Sequence, residues 1–177
     1  MVPDAGAIPS FLGYGGPRGT IPFPGTICAS INDEVVHGIP SPERRLRAGD
    51  VIALDVGCIW QGWHADTART FALAPVSPRV AELVDATRRG MEAGIAAAVP
   101  GNRLGDIGAA IEAVAHQHGY GIVRPFVGHG IGPAMHEEHQ APNYWRPETG
   151  VALEAGRRRV APPRVRLQAE SVMPARP

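Results

Sequence analysis

From Val51 to Trp60 the chain is almost uniformly aliphatic or β-branched, and after Gln61-Gly62 a second strand-like run extends from Trp63 to Leu73. Apolar runs bounded by turn residues read as strands, and a two-residue gap between them reads as a hairpin connection. Upstream, residues 27–36 read as a strand with an internal turn at Asn32-Asp33, and His37-Gly38-Ile39-Pro40 opens a polar loop that reaches Asp50. Pro9, Pro17, Pro22 and Pro24 break residues 1–26, which are expected to be irregular while burying Phe11, Leu12, Tyr14 and Phe23. Downstream the period changes. Val80, Leu83, Val84, Met91 and Ile95 recur at helical spacing between Arg79 and Val99, and Pro100-Gly101 closes that helix. Ile107, Ile111 and Val114 mark a second helix from Leu104 to His118, ended at Gly119. Ile122 to Val127 reads as a short strand, and Gly128 to Tyr144 as a loop region rich in Gly and His. Strands, two helices and strands again make an α+β arrangement.

Composition changes this picture little. The 177 residues, 44% of them hydrophobic, are those of an ordinary globular chain, and no apolar run reaches the 18 residues of a membrane span. Cys28 and Cys58, without a secretory signal at the N-terminus, read as free thiols, so a cytoplasmic protein is expected. Charge is more informative. The net charge is zero, which argues against a general nucleic-acid binder. Yet residues 1–156 hold 11 Arg against 16 Asp and Glu, whereas residues 157–177 hold 6 Arg against Glu170 alone. Every basic residue is Arg, as in a GC-rich coding sequence. The Arg/Pro-rich tail of 157–177 therefore has two readings, a solvated interaction arm or out-of-frame translation, and the domain proper is expected to span 1–156.

The candidate chemistry starts at Asp55, a carboxylate inside an otherwise buried strand. Burial there costs several kcal/mol unless the group is paired, protonated or bound to a cation. With Gln61-Gly62 as the turn, Trp60 pairs with Trp63, Val56 with Thr67 and Gly57 with Asp66. Because side chains alternate, Asp55 and Asp66 then share a face as diagonal neighbours, roughly 7–8 Å apart at the backbone. Two converging carboxylates repel unless a divalent cation joins them. Taken alone, Asp66 fits equally a turn cap or a partner of Arg69. His129, His136 and His139 fall in Gly128-His-Gly-Ile-Gly-Pro-Ala-Met-His-Glu-Glu-His139, where glycines let backbone approach closely. His64, His116 and His118 read as surface residues, and Cys28 as a small apolar wall.

Four segments together resemble type I methionine aminopeptidases. They are Cys28-Ala-Ser-Ile-Asn-Asp-Glu-Val-Val-His-Gly-Ile-Pro40, Asp50-Val-Ile-Ala-Leu-Asp55, Gly62-Trp-His-Ala-Asp-Thr67, and Gly128-His-Gly-Ile-Gly132 with His136-Glu137-Glu138. The resemblance covers about residues 8 to 156. It implies the pita-bread (creatinase/aminopeptidase-like) fold and hydrolytic removal of the initiator methionine from nascent polypeptides. It also implies two divalent metal ions (Co, Mn, Fe or Zn). Asp55 then resembles a terminal metal ligand, Asp66 the bridging carboxylate and His129 the imidazole ligand. His37 resembles the histidine at the scissile amide, and His136 the one that polarises the scissile carbonyl. Tyr14, Phe23, Cys28 and Met135 resemble walls of the methionine pocket, in which Phe11 also falls.

The resemblance fades after Leu153-Glu154-Ala155-Gly156. The family's two glutamate ligands, and the strands that carry them, have no counterpart in 157–177, so weak metal binding and impaired activity are expected. The fold is expected to be incomplete, lacking C-terminal strands. The alternative is a non-catalytic binding module whose basic tail contacts RNA or the ribosome. Retention of Asp55, Asp66, His129, His37 and His136 argues against it.

Overall fold

The computed structural model describes residues 6–16 and 21–154, together with the backbone of Val172–Pro174. The remainder of the 157–177 tail, with both of its readings, lies outside the described residues. Contacts divide the chain into two compact units: Met1–Ser77 with Pro133–Met135, and Pro78–Gly132 with His136–Pro177.

The first unit is an antiparallel sheet built on the predicted hairpin. Strands β1 (Ile8–Pro9), β2 (Ile27–Ile31), β3 (Val51–Trp60) and β4 (Trp63–Ala72) compose it. β4 pairs with β3 over its full length, so β1 and β2 share the opposite edge of β3. Gln61 and Gly62 both take positive φ, 50° and 82°, as a tight two-residue turn between right-twisted strands requires. Asn32 (φ 56°) ends β2, and its side chain receives the Val51 N–H while donating to Asp50. The polar loop is thereby pinned to the start of β3. β1 is an addition to the elements expected from the sequence. Pro9 lacks an N–H, but an edge strand of two residues tolerates that.

The second unit contains α1 (Pro78–Ala97), α2 (Leu104–Gln117), β5 (Tyr120–Ile122), β6 (Gly128–Gly130), β7 (Glu137–Ala141) and β8 (Val172–Pro174). Both helices lie where the periodicity puts them, but the buried stripe of α1 differs from expectation. Ala86, Gly90 and Gly94 are its buried positions, whereas Ile95 is 57% exposed. Small residues four apart share one face of α1, and a Cβ at Gly90 would make an ordinary contact with Ile111 of α2, at 3.6 Å. Leu104, Ile107, Ile111, Ala141 and Leu153 form one apolar core, and Ala86, Ala115 and Tyr120 another. Asp106 accepts the backbone N–H of Arg103 and of Glu148, fixing the start of α2 and the loop against it.

The region read as a loop from Gly128 to Tyr144 holds a short ladder. Gly128 pairs with Ala141 and Gly130 with Glu137, so a bulge on β7 separates the two pairs. His139 lies in that bulge at φ 73°. The strand expected from Ile122 to Val127 is not formed beyond Ile122; the observed β5 lies earlier, at Tyr120–Ile122, and its partner is β8. No helix among the described residues is long and apolar enough to cross a membrane.

Candidate metal centre and substrate pocket

In the first unit the observed register matches the expected one: Trp60 lies opposite Trp63, Val56 opposite Thr67, Gly57 opposite Asp66 and Asp55 opposite Ala68. Asp55 and Asp66 are therefore diagonal neighbours on one face. Cys28 of β2 lies directly opposite Asp55 and joins that face, buried to 4% exposure. Asp55 is buried and Asp66 half-buried. Phe11 closes the same face beside them. A Cβ on Gly57 would come within 2.5 Å of its ring, so the absent side chain is what admits Phe11 next to Asp66. Tyr14 and Phe23 are held to this segment by backbone bonds from Tyr14 N–H to Phe11, Phe23 N–H to Tyr14 and Gly13 N–H to Phe23. Tyr14 is exposed, Phe23 half-buried, and Met135, also in the first unit, is buried.

The backbone at His37 is held through its neighbour Gly38. Gly38 donates its N–H to Ser30 Oγ at 3.0 Å and accepts the Ala29 N–H at 2.8 Å. A Cβ at Gly38 would strike the Ala29 carbonyl, so only glycine allows this approach. The clamp places His37 in a left-handed conformation (φ 59°), a strained backbone that surrounding contacts must sustain. The loop beyond is braced by Glu34, which accepts from Ile31 N–H and from Arg44. The Arg44 hydrogen bond, and next the Ile31 N–H, hold the Glu34 carboxyl below the usual carboxylate range.

In the second unit, His129 is buried on β6 and its ring lies 4.1 Å from that of the exposed His136. His129 Nδ1 lies 2.9 Å from the Gly130 carbonyl. A carbonyl only accepts, so Nδ1 carries the proton and the lone pair sits on Nε2, the tautomer that suits a metal ligand. Gly132 admits the Glu137 carboxylate, which would overlap a Cβ there.

Two histidines read as surface residues prove otherwise. His64 is half-buried on β4, with Nδ1 2.9 Å from Ser10 Oγ. His118 stacks on Tyr120 and lies 3.4 Å from Glu82. His64 escaped notice because its partner stands 54 residues upstream.

Within the first unit, the two carboxylates on one sheet face are donors that suit a hard divalent cation. Among the described residues no group of three or more His, Cys, Asp or Glu is gathered closely enough to hold a metal ion.

Residues 10–161 match metallopeptidase family M24. The chain belongs to this family. Among its relatives, the methionine aminopeptidase of Clostridium acetobutylicum is 49% identical over 150 residues, which are 85% of this chain and 58% of that protein. Methionine aminopeptidase B of Synechocystis is 50% identical over 86% of this chain and 56% of its own length. The crystal structure of methionine aminopeptidase from Thermotoga maritima superposes with a TM-score of 0.81 at 38% identity, over 86% of this chain and 59% of that one. The pita-bread architecture expected from the resemblance is thus established for this M24 chain, which spans less than two thirds of the length of these relatives.

Proposed function

We propose that the chain carries the methionine-recognising and metal-holding part of a methionine aminopeptidase, which removes the initiator methionine from nascent polypeptides. The observation that supports this most strongly is the pairing of Asp55 and Asp66 on one hairpin face within the M24 match. Asp55, Asp66 and His129 would hold divalent cations, Co, Mn, Fe or Zn by the resemblance. A cation there supplies Lewis acidity where the first peptide bond is to be broken.

The chain's own residues do the rest. His37, presented by the clamped Gly38, hydrogen-bonds the scissile amide. His136 donates to the carbonyl oxygen and stabilises the negative charge that develops on it. Tyr14, Phe23, Cys28 and Met135 offer apolar walls that exclude water and accept an unbranched methionine side chain. Ribosome contact, where nascent chains emerge, belongs to the same proposal.

The 177 residues supply three of the five ligands that the resemblance implies, so cation uptake should be weak and turnover slow. Titration with manganese or cobalt is the test, followed by methionine release from a Met-Ala-Ser peptide. Uptake should disappear in Asp55→Ala and Asp66→Ala. Unchanged uptake in the double variant would sink the proposal.

A further inference from the structure

We infer that His64 is a positioning residue for recognition of the substrate's first side chain, acting through Ser10. The inference rests on the proposed methionine pocket and adds to it a residue that touches neither substrate nor metal.

Ser10 is buried (7% exposed), and its hydroxyl lies 2.9 Å from His64 Nδ1. Its backbone N–H is bound to the Gly57 carbonyl at 3.0 Å. Ser10 is thus attached to β3 by its main chain and, across β3, to β4 by its side chain. The space beside Gly57 on that face is taken by the ring of Phe11, the residue that follows Ser10. The residue opposite Gly57 on β4 is Asp66, two positions from His64 on the same face. The hydroxyl–imidazole bond therefore fixes the 10–14 segment at the strand that carries Asp66.

The pocket wall begins immediately after Ser10. Phe11 covers Gly57, Tyr14 N–H binds the Phe11 carbonyl, Phe23 N–H binds the Tyr14 carbonyl, and Gly13 N–H binds the Phe23 carbonyl, each at 2.9 Å. These bonds set the wall residues relative to one another, and the β1 pairing and the Ser10–His64 bond set the group relative to the sheet. β1 is two residues long and begins with Ile8, 62% exposed. A strand this short, with one end in solvent, constrains the wall weakly, so the side-chain bond carries much of the positioning. Loss of that bond leaves Asp55 and Asp66 in register, because ten pairs of the β3–β4 hairpin hold them. Recognition of the side chain and uptake of metal should consequently separate.

The experiment uses the 177-residue chain, with L-methioninamide and L-alaninamide as probes in the presence of manganese. Affinities come from NMR titration, and amide exchange is followed at Gly13, Tyr14 and Phe23. Ser10→Ala and His64→Ala should each weaken methioninamide binding about fivefold, the scale of one hydrogen bond's net contribution. The same variants should quicken exchange at those three amides and leave manganese uptake unchanged. The double variant should be no worse than either single one, as for two halves of one interaction. His64→Asn, whose side-chain amide can take the place of Nδ1, should restore most of the affinity. A wild-type chain with no preference for methioninamide over alaninamide overturns the pocket reading and this inference with it. A wild type that has the preference, with variants that keep it and keep slow exchange, overturns the inference alone. Should His64→Ala not fold, Ser10→Ala decides by the same two measurements.

Discussion

Between Val51 and Ala72 two ten-residue strands pair without interruption, whereas between Gly128 and Ala141 a three-residue strand meets a five-residue one across a bulge. Asp55 and Asp66 stand on the first hairpin, His129 and His136 on the second. The first relies on a general rule. Period-two alternation and a two-residue turn put any pair of residues with that spacing on one face. The second relies on particular atoms: glycines at 128, 130 and 132, and a histidine at φ 73° in the bulge. Regular pairing tolerates change in single side chains, and close backbone packing does not.

The largest effect should therefore come from the second hairpin. A Cβ on Gly130 would lie 2.5 Å from the Glu138 carbonyl, and main chain has little room to yield. Gly130→Ala should destabilise by about 3 kcal/mol in urea unfolding, at the upper end of overpacking costs. The His129–His136 ring contact should vanish from NMR spectra with it. Gly57→Ala presses on the Phe11 ring instead, and a ring can turn. Its cost should be smaller, about 1–2 kcal/mol, and replacing Phe11 by Leu in the same chain should recover part of it. If the two glycine variants cost the same, the contrast between the hairpins fails.

The legibility of the sequence follows the same division. Register, turn and shared face of Asp55 and Asp66 could be read directly, because each depends on residues within a dozen positions. The helices were equally plain in extent, but not in their buried face. Hydrophobicity nominates Ile95, whereas helix packing selects Ala86, Gly90 and Gly94. β6 and β7 were hidden because a Gly-rich segment carries no strand pattern, only the room for one. The Ser10–His64 bond and the Gly38–Ser30 clamp depend on which distant backbone comes near, and no local period encodes that.

Three smaller predictions concern the first hairpin. Manganese at ten times its dissociation constant should stabilise the wild-type chain by about 1.4 kcal/mol and leave Asp66→Asn unaffected. Thermal unfolding with and without the metal checks this. Gln61 occupies a left-handed position at φ 50°, which Asn adopts with less strain. Gln61→Asn should raise stability by about 0.5 kcal/mol, through the turn alone. The smallest effect is at Asp50, before β3. Its carboxyl is held below the ordinary 3.8, first by the Asn32 side chain and next by the Arg47 N–H. A lowered folded value means stabilisation that is complete above the unfolded value and is lost as pH falls through the folded one. Asp50→Asn should flatten the acid limb of the stability profile below about pH 4, as followed by denaturation at stepped pH.

The outer side of β4 has its own consequence. Among the described residues β4 pairs only with β3, and Trp63 and Phe71 on it are 50% and 43% exposed. A ten-residue strand whose outward main-chain donors and acceptors face away from β3, flanked by aromatic rings, is a template on which another copy can add its own strand. Concentrated solutions of the 177-residue chain should therefore cloud with time, and Thr67→Lys, at an exposed position of that strand, should keep them clear.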